Sequence, residues 1–348
     1  MEQAELYALA RKRMGNTCRL CTSCNGVACA GKALEFGSVG NGRTFRRNGE
    51  ALQEYELVEN KSKTSDLPDT GIELFGQALS MPIIAGPIGS IAVNAGIYSD
   101  TPENVEDRYV RALTAGTYSA GVLAMIGDGP QSYSFAFGMK YANAYPGRVI
   151  SIVKPRPDEV IIERGRLAKR IGEPAFGVDV DASRLVSMTS RGQNIEMKTP
   201  DSLAKIVDAV SLPFIVKGIM TVQEAEICTR IGAAAIVVSN HGGRVLDGMP
   251  GTADVLPDIV RAVKGQTIIL VDGSIRTGED VFKMLALGAD AVMIGRPVAF
   301  AVIGGAARGV QLFFEQWQRE LCDAMQKTGA MTLQQIHSGM IKKKTECK

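Results

Sequence analysis

From Met81 to its C-terminus the chain alternates between two hydrophobic rhythms. Short apolar runs bounded by glycine or proline recur, and each is followed by a stretch whose apolar residues return with helical spacing. That alternation is the pattern of βα units wound around a parallel sheet. The runs predict strands at Pro82–Ala85, Gly121–Ile126, Arg148–Val153, Ala175–Asp181, Pro213–Lys217, Ala234–Ser239, Thr267–Val271 and Ala291–Ile294. Helices are expected between them. Examples are Pro157–Ile171, Thr221–Ile231 with Thr221 as N-cap, and Gly278–Leu287 closed by Gly288, with a final helix over Val298–Met325. Eight such units are the count of an α/β fold of the (β/α)8 TIM barrel type, whose usual size of roughly 250 residues fits the span 81–348. A doubly wound open sheet would carry a glycine-rich dinucleotide fingerprint after its first strand. The turn there reads Gly86-Pro-Ile-Gly89-Ser, which is not one.

Residues 1–80 lack this rhythm and are expected to form an N-terminal extension of the barrel at 81–348. They open with an amphipathic run (Leu6, Leu9 and Met14, with Arg11 and Lys12 between) and continue into a Cys- and Gly-rich loop, Cys18 to Gly42. Within it, Gly37-Ser-Val-Gly40-Asn-Gly42 lacks a full fingerprint and a preceding strand, and reads as a flexible loop. Composition narrows the function classes. With a net charge of +2 over 348 residues, concentrated basic charge for nucleic acid is missing, and the run Lys342–Lys344 reads as a solvated end. No run of eighteen apolar residues occurs and Met1–Arg13 is charged, so neither membrane spanning nor secretion is expected. Seven unevenly spread cysteines do not suit a disulfide framework, which points to a reducing cytoplasm.

In a barrel, chemistry sits at the C-terminal ends of the strands. Those ends carry Asp181 on strand four and Lys217 on strand five. Strand six ends in Ser239-Asn240-His241-Gly242-Gly243-Arg244, strand seven in Asp272-Gly273-Ser274-Ile275-Arg276, and strand eight in Gly295-Arg296-Pro297. The last two ends suit a phosphate, because Gly273 and Gly295 let backbone amides approach an anion while Arg276 and Arg296 fork onto its oxygens. Lys217, leaving a buried strand, demands an anionic partner. His241 has the chemistry of a general base, with Asp181 as its orienting carboxylate, and Arg244 can bind a carboxylate as a fork.

These residues are also recognisable. Ser239-Asn-His-Gly-Gly-Arg-Val-Leu-Asp247-Gly resembles the signature of the FMN-dependent 2-hydroxy-acid oxidising family, which includes glycolate oxidase, lactate oxidase and mandelate dehydrogenase. Pro213-Phe-Ile-Val-Lys-Gly218, Asp272-Gly-Ser-Ile-Arg-Thr-Gly278 and Leu287-Gly-Ala-Asp-Ala-Val-Met-Ile-Gly-Arg-Pro297 agree with it, and the match is nearly continuous over 211–310. The resemblance implies oxidation of a 2-hydroxy acid to a 2-oxo acid with FMN as electron acceptor, in a tetramer or octamer. It makes His241 the base, Asp181 its partner and Arg244 the carboxylate clamp. On the cofactor side it implies Lys217 and Ser239 beside the flavin ring, Gly273, Ser274, Arg276, Gly295 and Arg296 around the phosphate, and Asp272 among the cofactor-binding residues. Pro87, Ile88 and Gly89 would run along the ring edge, and Asp179 stands where the family has a flavin-contacting threonine. Other departures concern the substrate clamp. The family's tyrosine near the end of strand three is absent from Ser151-Ile-Val153-Lys, the N-terminal substrate tyrosine has no counterpart, and the second carboxylate arginine is missing near Met188, with Arg191 close by. From a rebuilt clamp the expectation is either a different, larger acid or altered flavin chemistry.

Cys18-Arg-Leu-Cys21-Thr-Ser-Cys24-Asn-Gly-Val-Ala-Cys29 concentrates four thiols in one loop, a set that suits a [4Fe–4S] cluster or tetrahedral Zn2+. Beside a flavin, iron–sulfur would give electrons an exit other than O2. Rival readings are a flavin-dependent isomerase, an NAD(P)H-linked reductase on the same barrel, and a non-catalytic flavin and metal electron carrier. The last has no use for His241 and Arg244.

Overall fold

The computed structural model describes residues 3–15, 17–21, 24–60 and 67–344. Eight parallel strands close into a barrel: β1 (Ile83–Ala85), β2 (Ala124–Gly127), β3 (Val149–Val153), β4 (Phe176–Asp179), β5 (Phe214–Ile219), β6 (Ala235–Val238), β7 (Ile268–Val271) and β8 (Ala291–Ile294). Each pairs with its successor, and β8 closes on β1 with Ile294 opposite Ala85. Six of the eight predicted runs contain their strands; β2 continues one residue further, to Gly127, and β5 two further, to Ile219. The main correction is at β4, which ends at Asp179, because the pair Asp179–Lys217 is the last rung it shares with β5. Asp181 follows in a 3-10 turn, Val180–Arg184.

Side-chain alternation along the strands builds two apolar layers. Inward positions such as Ile84, Met125, Ile150, Ile152, Ile215, Val237, Leu270 and Met293 fill the barrel. Outward positions such as Val149, Val153, Phe176, Val178, Val216 and Val292 meet the helices. A hairpin the sequence did not announce, Ile72–Leu74 with Gln77–Leu79, plugs the barrel floor with Leu74 and Leu79. Expected helices are present as Asp158–Arg170, Val222–Arg230 with a Thr221 capping box, and Gly278–Ala286.

The N-terminal residues share the barrel's core. A helix Gln3–Arg13 lies along the long helix Arg296–Thr328, with Leu6 and Ala10 buried. The approach is close enough that a Cβ on Gly304 would sit 2.1 Å from the Leu6 carbonyl oxygen. Gly304→Ala must push the two helices apart, and a loss of roughly 1–3 kcal/mol is expected, read as a lowered thermal midpoint. An unchanged midpoint would show that the contact is dispensable. By length and composition the helix Arg296–Thr328 could cross a membrane, but Val298, Phe300, Val302, Phe313, Phe314 and Trp317 are buried inside the fold. A second N-terminal helix, Arg43–Gln53, supports the loop after β6. Strand Tyr55–Leu57 pairs antiparallel with Ile341–Lys343. The expected solvated tail is therefore an edge strand in part, with Lys343 3.2 Å from Glu54 and Lys344 3.7 Å from Glu56. The stretch 37–42 is likewise tied down: the Val39 amide donates to the Gly243 carbonyl at 2.9 Å.

Candidate active site

The alternation that fills the barrel continues one step past the apolar layer. After Ile150 and Ile152 the next inward position near the mouth is Lys154. After Gly177 it is Asp179, after Ile215 Lys217, after Val237 Ser239, and after Leu270 Asp272. Strand period alone thus raises five polar side chains into one layer at the mouth. They bond to one another. Lys217 Nζ donates to Asp179 Oδ1 at 2.9 Å, Lys154 Nζ to Asp179 Oδ2 at 2.6 Å, and Ser239 Oγ to Asp272 Oδ2 at 2.9 Å. Burial works to raise the Asp179 carboxyl, but the ring of His241 and the two ammoniums hold it well below the usual carboxylate range. Burial likewise opposes the charge on Lys217, and Asp179, Asp181 and Asp272 outweigh it, so this lysine stays charged.

His241 is aimed into this layer by its backbone. It has φ 56°, followed by Gly242 at 59° and Gly243 at 74°, a left-handed run that turns the chain sharply after β6. The Ser239 hydroxyl accepts the His241 amide at 3.1 Å. The ring's Nδ1 lies 3.1 Å from Asp181 Oδ1 and 3.5 Å from Asp179 Oδ1. Asp181 comes this close because β5 bulges at Gly218, where a Cβ would sit 2.7 Å from the Asp181 Cγ. Burial pushes the imidazole well below its ordinary pKa, and the Asp179 carboxylate offsets this only in part. Burial and the neighbouring Asp179 charge push Asp181 well above the usual range. Asp179, Asp181 and His241 are near enough to share a cation, but both Asp179 oxygens already carry an ammonium.

Arg244, three residues on, is held by neutral acceptors. Nη1 donates to the Glu35 carbonyl at 2.7 Å, and Nη2 to the Ala33 carbonyl at 3.0 Å and Asn94 Oδ1 at 3.2 Å. Among the described residues no carboxylate pairs with it, and burial together with Arg296 pulls its pKa down to about 9. A guanidinium held by carbonyls and short of a counter-charge is an anion site.

At the other end of the cavity Arg276 and Arg296 also lack carboxylate partners among the described residues. Arg276 donates to the Ile275 carbonyl at 2.9 Å and reaches the Cys24 sulfur at 3.5 Å. Arg296 donates to the Gly242 carbonyl at 3.1 Å and stacks over Phe45 at 4.3 Å. Gly295 precedes the helix Arg296–Thr328, and a Cβ there would meet nothing nearer than Ile88 at 3.6 Å, so the helix N-terminus opens onto the cavity. One cavity joins both ends, lined by every predicted cofactor residue except Asp179 and Ser239, which lie in the charged layer beneath. Two buried oxygens at its base, Asp272 Oδ1 and Asp181 Oδ2, have no hydrogen-bond partner among the described residues. Two unpaired arginines around an exposed helix start, a long cavity and orphan acceptors at its base fit a phosphate-tailed planar group such as FMN.

The cysteine loop departs from expectation. Cys21 is exposed and the others are half-buried, and the four sulfurs are not gathered within ligand distance of one another. Their sulfurs face local partners instead: the Leu20 amide donates to Cys18 at 3.4 Å, Cys29 donates to the Gly26 carbonyl at 3.7 Å, and Cys24 accepts from Arg276. The expected [4Fe–4S] or Zn2+ ligand set is thus not assembled. Cys347 lies outside the described residues.

Several contributors escaped the sequence reading. Asn240 exchanges two hydrogen bonds with Asn48, at 2.9 and 2.8 Å, and Asp247 accepts the amides of Asn41 and Thr44, at 2.8 and 3.0 Å. The polar signature residues around His241 thereby bind the loop to the N-terminal helix. Leu34, Phe36, Val93, Leu185 and Met188 give the Arg244 end an apolar wall, and Arg191 stands exposed at its rim. Lys154 was visible only as the residue after a missing tyrosine.

A family model described as FMN-dependent dehydrogenase matches residues 33–97 and 157–343. An L-lactate oxidase of Lactobacillus jensenii is 30% identical over 321 residues, covering 84% of this chain and 76% of its own. An L-lactate dehydrogenase of Pseudomonas syringae pv. syringae is 28% identical over 354 residues, covering 86% and 90%. Among solved structures, a mandelate oxidase mutant with (S)-mandelic acid has a TM-score of 0.80 and 25% identity over 99% of both chains.

Proposed function

Because the chain belongs to the FMN-dependent dehydrogenase family, we propose that it oxidises a 2-hydroxy acid to the 2-oxo acid with His241 as base and Arg244 as carboxylate clamp. The observation that carries this reading is the shared cavity. It joins an imidazole backed by Asp181 at 3.1 Å to a guanidinium without a carboxylate partner, and ends in two further unpaired arginines. FMN, when bound, supplies the two-electron acceptor. Pro87, Ile88, Gly89 and Lys217 would hold its ring end, and Gly273, Ser274, Arg276, Gly295 and Arg296 its phosphate, with Asp272 at the base of the cavity between, braced from below by Ser239.

Arg244 orients the substrate by its carboxylate, which brings the hydroxyl-bearing carbon over the charged layer. His241 takes a substrate proton at Nε2, the ring nitrogen left free by the Nδ1 contact with Asp181. Asp181 orients the ring, and Asp179, held ionised 3.5 Å from Nδ1, then stabilises the imidazolium that forms. Lys217 keeps a positive charge beneath the acceptor's ring end. Arg244 also couples the cysteine loop to the reaction, since its two carbonyl acceptors come from that loop's end. The loop takes part through its main chain and Cys24; a full equivalent of iron or zinc in anaerobically purified protein would instead require it to refold around a metal.

The apolar wall at the Arg244 end favours an acid with a side chain larger than methyl. Each methylene buried there is worth about 1–3 kcal/mol, or roughly 10–200-fold. Anaerobic mixing with a panel of 2-hydroxy acids is expected to bleach the flavin, with glycolate at least about tenfold poorer in kcat/KM than an acid bearing a branched or aromatic side chain. Bleaching by NAD(P)H and by no hydroxy acid would replace this function with a reductase.

A further inference from the structure

We propose that Lys154 is a positioning residue of the reaction site, neutralising Asp179 so that the charge of Lys217 remains available to the bound cofactor. The inference rests on the FMN reading above and adds to it a residue from the stretch 98–156, which the family model leaves unmatched.

The argument begins with charge. Three carboxylates reach the mouth layer: Asp179 from β4, Asp181 from the turn after it, and Asp272 from β7. Two ammoniums answer them, Lys217 from β5 and Lys154 from β3, with Arg244 further out on the β6 loop. Asp179 is 1% exposed and sits opposite Lys217 in the β4–β5 register. Were Lys217 its sole cation, the ammonium would be consumed by an acid 2.9 Å away and by Asp272 at 4.0 Å. A chain carrying aspartate at this place therefore needs a second cation, and Lys154 supplies it on the other oxygen at 2.6 Å.

Lys154 is fixed from behind as well. Its amide donates to Asp128 Oδ1 at 2.7 Å, and Asp128 is itself clamped by Arg156 at 2.8 Å and Arg164 at 2.6 Å. This buried cluster sets where the lysine leaves β3. Its side chain then runs along the cavity wall to Asp179, with 10% of its surface accessible. The ammonium also faces His241 across Asp179, and its charge helps to keep the imidazole neutral. Lys154 and Asp179 thus form a net-neutral insert beneath the cofactor site. Removing the lysine alone leaves an uncompensated negative charge there, whereas removing both charges restores the balance.

The test is the two-electron midpoint potential of the FMN-loaded protein. Lys154→Met is expected to shift the reduction equilibrium at least tenfold towards oxidised flavin, about 30 mV for a two-electron couple. It should also move the acidic limb of the kcat/KM profile to higher pH. The double variant Lys154→Met with Asp179→Asn should return both readouts towards the parent values, and Lys154→Arg should keep them. If Lys154→Met fails to fold or to take up flavin, the double variant decides, because it removes the unpaired charge. A potential unchanged in Lys154→Met, or a double variant shifted as far as the single, overturns the proposal. Failure of the parent protein to take up FMN would instead remove the functional reading on which it rests.

Discussion

Replacing His241 with alanine is expected to slow anaerobic flavin reduction by a saturating 2-hydroxy acid by about 10²–10⁴-fold, followed by stopped-flow absorbance. The expectation follows from position. The imidazole stands in a layer of fixed charges with Nδ1 held 3.1 Å from Asp181, and Nε2 has no partner among the described residues. Its protonation sets the pH dependence. The base must be neutral to accept a proton, so the rate falls as pH drops through the imidazole pKa. Burial holds that pKa well below the ordinary 6.5, so the acidic limb of kcat/KM should lie below pH 6.5. Reduction undiminished in His241→Ala would remove the residue from the reaction. A limb above pH 6.5 would show that the surrounding carboxylates dominate over burial.

Arg244→Ala carries the second large effect. The guanidinium spends its described hydrogen bonds on two main-chain carbonyls and an amide oxygen, so its charge is left for a ligand. Losing a buried charge-assisted fork costs roughly 2–5 kcal/mol, which in kcat/KM is about 30- to 5000-fold. Arg244→Lys keeps the charge but not the fork, and should fall between. The esters of the same hydroxy acids supply the control, because they bear no carboxylate. They should be turned over poorly by the parent protein and almost equally poorly by Arg244→Ala. An equal fractional loss for acid and ester would mean that Arg244 supports the loop Ala33–Glu35 and does not bind the substrate.

Both residues were legible in the sequence, and the reason is local. A barrel strand is a short apolar run with a fixed side-chain period, so its end and the residues beyond can be read directly. His241, Arg244, Lys217 and Asp272 all follow such runs. The end of β4, which moves Asp181 off the strand, shows where this fails. Apolar character gave no stop between Asp179 and Asp181; the stop is the last rung shared with β5. Asp179 itself was assigned to the flavin only as the residue standing in a threonine's place.

The sequence by itself determined the barrel, the layer in which the polar strand ends would meet, and the two arginine-bearing ends that suit a phosphate. Each depends on period and spacing within a few residues. Tertiary structure alone decided which charges pair. Lys154 and Asp179 lie 25 residues apart in sequence and meet at 2.6 Å because β3 and β4 are neighbours around the barrel. It also decided that Ala33 and Glu35 hold Arg244 more than two hundred residues away, and that three of the four clustered cysteines turn to separate partners. Ion pairs and hydrogen bonds act over a few ångströms in space, and their partners are chosen by the closure of the fold, which no local pattern along the chain records.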